Sequence, residues 1–278
     1  MTLPTEIQAP GALPEVLPEV LYEVKGHVAV VTLNRPGRMN TISRAMLAEL
    51  TAHMVTADKD PRVRAVILTG TGRAFCAGLD LTEALSGGEG IGSSATASTN
   101  LDLRDTPPTV LFNMGKPTIC ALNGSAAGYG MDTALGCDIR LMARGAKMAA
   151  AFTKRGIVPE SGGTWFLPRL IGWSRAAEVI FTGRTLSAED CVEMGLASKV
   201  VAPEDLQAEA MALAEEIAAN APLAVQAAKR MMRMGLSETF PDHVHHVFLQ
   251  LLPLLKTHDA AEGMRAFMEK REANFEGR

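Results

Sequence analysis

Cysteine is scarce in this chain and forms no pattern. Cys76, Cys120, Cys137 and Cys191 are spread over 278 residues. No two make a C-x-x-C, so neither a zinc knuckle nor a dithiol redox pair is encoded. Three lie in apolar stretches and read as small buried hydrophobes of a reducing cytosol. Long apolar runs are missing too, and none approaches the length that crosses a bilayer. The opening MTLPTEIQAPGALPEVLPEV lacks the basic start and apolar stretch of a secretory signal, and its four prolines describe an extended arm. Neither sign of charge is in large excess. A net charge of −4 and a pI near 5.9 leave no overall footprint for nucleic acid or an anionic membrane surface. The reading is of a cytoplasmic protein with neither kind of partner.

Several catalytic signatures are absent as well. There is no G-x-S-x-G nucleophile elbow. Gly128-Tyr129-Gly130-Met131-Asp132-Thr133 falls one glycine short of a dinucleotide fingerprint and stands far from the N-terminus. His243, His245 and His246 cluster in a helical stretch, but no further ligands stand at matching spacing, so surface or interface histidines are expected and no metal site. Met231, Met232 and Met234 read as filling for a helical interface.

What is present is a globular composition, 47% hydrophobic and 21% charged, long enough for a sizeable core. Residues 21–34 read as two strands around Lys25-Gly26. Ser43 can cap a helix in which Met46, Leu47, Leu50 and Met54 recur at helical spacing. Strands are predicted over 64–70, 117–123 and 139–143, with a helix over 131–138. Strand, helix and strand in this order predict a parallel sheet with crossover helices. Residues 86–100 form a Gly/Ser/Ala/Thr-rich loop. After Gly156, helices are predicted over 161–171, 174–182, 187–194, 203–220, 222–236 and 257–275. Gly172, Gly183, Gly195 and Gly235 are expected to close four of them.

Two segments place glycine just past a predicted parallel strand, where ligands bind in such sheets. One is Arg73–Leu81, with Gly78, and the other is Asn123–Asp132, with Gly124, Gly128 and Gly130. Glycine lets backbone turn sharply and approach a ligand. The second segment enters a helix, whose first N–H groups lack intrahelical partners and favour negative charge. Either segment alone is read equally well as a tight turn. Together they can aim two N–H donors at one oxygen.

These segments resemble the crotonase (enoyl-CoA hydratase/isomerase) superfamily. Phe75-Cys76-Ala77-Gly78-Leu79-Asp80 is similar to its F-x-A-G-x-D, and Asn123 through Gly130 to its N-G-x-A-x-G-x-G. Cys137-Asp138-Ile139, Gly156–Gly163, Leu167–Gly172, Thr182–Leu186 and Gly195–Val200 look familial too, so the likeness runs from about residue 20 to the C-terminus. The resemblance implies an α/β spiral of ββα units. It divides the chain into an N-terminal arm over 1–19, a spiral core over 20–215 and a helical oligomerisation region over 216–278. The assembly it implies is a homotrimer or dimer of trimers.

The resemblance also implies the chemistry. The substrate is an acyl-CoA thioester, and no cofactor is needed. The N–H groups of Leu79 and Tyr129 form the oxyanion hole, and the Tyr129 side chain lines the acyl pocket. Asp80 supports its turn. Of the two glutamates of the familiar hydratases, the first falls at Asp132 and the second at Phe152, which cannot move protons. Glu160, in the same segment, stands where some relatives carry the catalytic carboxylate. Glu160 and Asp132 are therefore the candidate acid and base. The plainer reading of Asp132 is support for its helix start. Arg38, Ala77, Phe267 and Lys270 are the implied CoA contacts, with ordinary surface charge the plainer reading of Lys270. The expected activity is hydration of a 2-enoyl-CoA. The alternatives are 3-enoyl to 2-enoyl isomerisation by one carboxylate, and a non-catalytic acyl-CoA- or RNA-binding relative.

Overall fold

Lys25-Gly26 turns the chain back on itself. β1 (Val20–Lys25) and β2 (Val28–Leu33) lie antiparallel, with Val20 opposite Leu33. The coordinates are those of a computed structural model and describe residues 17–82 and 106–278. The loop over 86–100 and all but the last three residues of the predicted arm lie outside them.

α1 (Arg44–Lys59) begins where predicted, because the Ser43 hydroxyl accepts the Met46 N–H at 3.0 Å. Met46, Leu50 and Met54 turn inward at helical spacing and are fully buried. β3 (Ala65–Gly70) then enters the sheet beside β2, parallel to it. A short turn leads to a three-residue strand, β4 (Ala74–Cys76), in a second sheet. The same step occurs twice more. β5 (Thr118–Leu122) is followed by β6 (Ser125–Ala127), and β7 (Ile139–Ala143) by β8 (Lys147–Ala149). β3, β5 and β7 run parallel side by side in one sheet, and β4, β6 and β8 in the other. Each repeat advances both sheets by one strand, which makes the chain a spiral of ββ steps with helices outside.

α2 (Pro107–Asn113) packs against α1 and against α3 (Tyr129–Gly136), every residue of which is buried. α4 (Gly163–Ile171) and α5 (Trp173–Thr182) follow. β9 (Thr185–Ser187) then pairs with β8, α6 (Ala188–Met194) starts from a capping box at Ser187, and β10 (Lys199–Val201) closes the larger sheet beside β7. α7 (Leu206–Ala218) covers β3 and β5, so residue 215 lies inside a helix packed on the sheet. α8 (Pro222–Met234), α9 (Phe240–Leu254) and α10 (His258–Glu269) complete the chain. Asp138 ties α8 to the sheet, pairing with Lys229 at 2.7 Å and Arg233 at 2.8 Å while accepting the Thr118 N–H.

Two expectations need correction. Strands do not all come first, because β9 and β10 interrupt the later helices; three residues are too few to display a period. α9 was not predicted as a separate helix. None of its residues is buried in this chain, although Phe240, Val244, Val247, Phe248, Leu251 and Leu252 recur at helical spacing and could have announced it. All four glycines expected to close helices do so, Gly235 from the right-handed helical region (φ −59°) and Gly172, Gly183 and Gly195 with positive φ. No helix among the described residues is long and apolar enough to cross a membrane.

Candidate active site

The first glycine segment runs beside Met39–Ile42 like a strand. The Ala77 N–H donates to the Met39 carbonyl at 3.1 Å, the Ile42 N–H to Gly78 at 2.8 Å, and the Asp80 N–H to Ile42 at 2.9 Å. Alternation along an extended backbone therefore turns the Leu79 N–H away from this ladder. Among the described residues no acceptor meets it. Asp80 supports the turn, with one oxygen 3.2 Å from Arg35 Nη2 and the other accepting the Thr82 N–H.

The second segment bends at Gly128, whose φ of 53° and ψ of −125° exclude an L side chain at low cost. α3 starts at the next residue. The Tyr129 N–H is thus the first of a helix and has no intrahelical partner. Two asparagines hold the hinge between β3 and β4 around which both segments are built. Asn40, itself left-handed at φ 52°, donates to the carbonyls of Thr71 (2.9 Å) and Ala74 (2.8 Å) and accepts the Arg35 N–H. Asn123 accepts the Gly70 N–H and donates to Gly72.

The two segments touch through glycine. A β-carbon on Gly78 would stand 3.0 Å from the Ala127 carbonyl oxygen and 3.9 Å from the Tyr129 nitrogen. One on Gly130 would stand 2.6 Å from Cys76 Cβ and 2.8 Å from its Sγ, and closer still to its carbonyl oxygen. Backbone approach this tight brings the Leu79 and Tyr129 donors to one cleft. That cleft has a volume of about 80 Å³ and is lined by Ala77, Gly78, Leu79, Gly128, Tyr129, Phe152 and Glu160, with Arg155 and Ile157 among its other walls. Tyr129 and Glu160 also line a larger cavity of about 410 Å³ beyond it.

Glu160 is the carboxylate at the boundary of both cavities. Loss of water on its protein side raises its pKa, against the pull of its own backbone N–H and of Ser161. Asp132 lines neither cavity. It is 1% exposed and sits behind the wall, where its Oδ2 accepts the Gly163 N–H at 3.0 Å. Burial pushes its pKa up to about 7; the Gly163 hydrogen bond opposes this and the charge of Glu160 adds to it. Ser161 Oγ is nearby, yet neither it nor Asp132 Oδ1 completes a hydrogen bond among the described residues. The Tyr129 phenol is held protonated, first by burial and then by the charge of Glu160. Phe152 is buried at the cleft wall.

Of the implied CoA contacts, Ala77 lines the cleft and Arg38 lies next to Met39, which pairs with Ala77. Phe267 and Lys270 sit on and just past α10, exposed, and neither lines the cleft. His243 and His246 each place Nδ1 on Glu238, at 3.0 and 2.8 Å, and no group of three metal-binding side chains occurs among the described residues. Sequence reasoning missed the aromatic wall of the larger cavity, formed by Phe112, Trp165 and Phe166. Its residues come from α2 and α4 and share no spacing that would announce them.

Leu79 and Tyr129, on the two glycine segments, and the Glu160 carboxylate thus line one common cleft. The profile of the enoyl-CoA hydratase/isomerase family matches residues 23–278, and the chain belongs to that family. A Bacillus subtilis protein bearing the enoyl-CoA hydratase/isomerase name is 40% identical over 90% of this chain and 95% of its own length. The (E)-benzylidenesuccinyl-CoA hydratase of Thauera aromatica is 37% identical over 92% of this chain and 98% of its own. The crystal structure of an enoyl-CoA hydratase from Bacillus anthracis superposes with a TM-score of 0.87 at 35% identity, covering 94% of this chain and all of that one.

Proposed function

We propose that this protein is an enoyl-CoA hydratase. The observation that carries the reading is the convergence of the unpaired Leu79 and Tyr129 N–H groups on a cleft walled by Glu160. The thioester oxygen of a 2-enoyl-CoA rests on the two donors. Water bonds to C3 as its proton passes to Glu160. The π pair moves toward the thioester as an enolate, and Glu160 returns the proton to C2. Charge gathers on the oxygen only along this path, so the donors favour the transition state over the ground state. Each is worth about 2.7–4 kcal/mol. One carboxylate serves both proton steps, with Asp132 behind it as the second acidic group. CoA is held by backbone at Ala77 and by Arg38, and by Phe267 and Lys270 across an assembled interface.

That assembly is a homotrimer or a dimer of trimers in the cytoplasm. The support is α9 and its C-cap Leu255, which leave Phe240, Phe248, Leu251, Leu252 and Leu255 exposed in the single chain. The reaction takes no metal or nicotinamide, and neither nucleic acid nor membrane is a partner. A second reading, isomerisation of a 3-enoyl-CoA, is favoured by Phe152, which leaves Glu160 as the carboxylate lining the cleft. Mass spectrometry decides between them, since hydration adds the mass of water to a 2-enoyl-CoA and isomerisation of a 3-enoyl-CoA leaves mass unchanged. Calorimetry that finds no affinity for CoA thioesters at millimolar concentration refutes both. Light scattering tests the assembly, and a monomer at micromolar concentration refutes it.

A further inference from the structure

The larger cavity begins where the proposed chemistry ends. It shares Tyr129 and Glu160 with the oxyanion cleft, so whatever extends past C3 of a bound thioester enters it. At about 410 Å³ it is ample for a ring-bearing acyl group. Its inner wall is three aromatic rings. Phe112 and Trp165 stand edge to face at 5.3 Å and 83°, Trp165 and Phe166 at 5.1 Å and 86°, and Phe112 and Phe166 are tilted at 6.4 Å. All three are only half-buried.

The rings are fixed from behind. The Arg169 guanidinium lies 4.1 Å from the Trp165 ring centre, and that of Arg233 lies 4.9 Å from the centre of Phe112. Arg233 is itself anchored on Asp138. A preorganised wall of this kind loses little freedom when filled. An alkyl chain gains only area from it. An aromatic ring also gains the edge-to-face attraction that orders the three rings among themselves.

We propose that the acyl group this site selects carries an aromatic ring at its β-carbon, making the substrate a 3-aryl-2-enoyl thioester and the product its 3-aryl-3-hydroxy counterpart. The reaction adds hydroxide at C3 and a proton at C2, so atoms and charge balance with water alone. This inference rests on the acyl-CoA reading above.

Saturated thioesters separate binding from reactivity. 3-Phenylpropanoyl-CoA and hexanoyl-CoA are titrated calorimetrically into the wild-type protein and into Trp165→Leu and Phe112→Leu, with circular dichroism checking the fold. The phenyl ester is expected to bind roughly twofold to tenfold tighter to the wild type, the size of one well-placed aromatic pair, with the preference lost in either variant. Equal or weaker binding of the phenyl ester to the wild type overturns the inference, whatever the variants do. So does a preference that survives in both folded variants. If neither ester binds, the acyl-CoA reading fails and takes this inference with it. If the phenyl ester is preferred but neither cinnamoyl-CoA nor 2-hexenoyl-CoA is hydrated, the aryl pocket stands and only the hydratase reading falls.

Discussion

Replacing Gly130 by alanine should separate catalysis from binding. The new methyl would lie 2.6 Å from Cys76 Cβ and 2.8 Å from its Sγ, and nearer still to its carbonyl oxygen. Neither side can yield easily. Phe75 and Cys76 are fully buried, and α3 is fixed by buried Met131 and Leu135. Restoring normal contact distances requires the helix start and the end of β4 to part by about 1 Å, and overpacking of that kind costs about 1–3 kcal/mol of stability. The larger effect is on chemistry. Tyr129 directly precedes Gly130, and Leu79 follows Cys76 by three residues, so the displacement reaches both donors. Misplacement of about 1 Å at a reacting centre costs on the order of 10²-fold. Because the hole matters more to the transition state than to the ground state, kcat should carry the loss and KM should change little. The assay is steady-state hydration of crotonyl-CoA, with thermal unfolding of the same preparation. A folded Gly130→Ala protein with kcat within about threefold of wild type would mean that backbone donors at this contact do not support turnover.

Three further outcomes are expected. Glu160→Gln keeps shape but removes the proton acceptor, so kcat should fall by about 10²–10⁴ with CoA-thioester affinity retained in calorimetry. Asp132 has a folded pKa of about 7 against an ordinary 3.8. The unfolded chain therefore releases this proton first, and stability falls as pH rises from the lower value to the higher, by up to roughly 4 kcal/mol, then levels off. Asp132→Asn should abolish that slope in urea unfolding followed between pH 4 and 8, and an unchanged slope would refute the assignment. Asn40→Ala breaks the hinge hydrogen bonds and leaves a non-glycine residue with positive φ, so it should lose about 2–4 kcal/mol of unfolding free energy in urea.

Much of this site was legible in the residues because backbone chemistry leaves marks. Close approach at Gly78 and Gly130 and the bend at Gly128 admit only glycine, so both segments are visible in the sequence. Ser43 and Met46–Met54 declared α1 for the same reason: a cap and a 3.6-residue period are local. β4, β6, β8 and β9 were not legible, since three residues pairing with distant partners carry no period. The larger cavity was hidden for a further reason. Phe112 meets Trp165 only once α2 and α4 have packed, and no one-dimensional spacing records that meeting. Asp132 was visible as a carboxylate, but its burial behind the wall depends on where α4 begins.

The position of Asp132 explains how the two halves of the site keep their spacing. It follows Tyr129, the proposed donor, by one helical turn, and its Oδ2 accepts the N–H of Gly163, which follows Glu160 by three residues. One buried hydrogen bond thus joins the helix that starts at the oxyanion hole to the helix start that carries the proton-transfer group. The same joint sets the aromatic wall, because Trp165 and Phe166 lie in the first turn of α4. A carboxyl here is costly to bury, as its raised pKa records. An apolar residue would pack without that cost but would leave the Gly163 N–H without its acceptor and the α3–α4 packing without this directional tie. The cost of burying Asp132 is therefore tied to the alignment of hole, carboxylate and acyl pocket, features that the sequence places in separate segments.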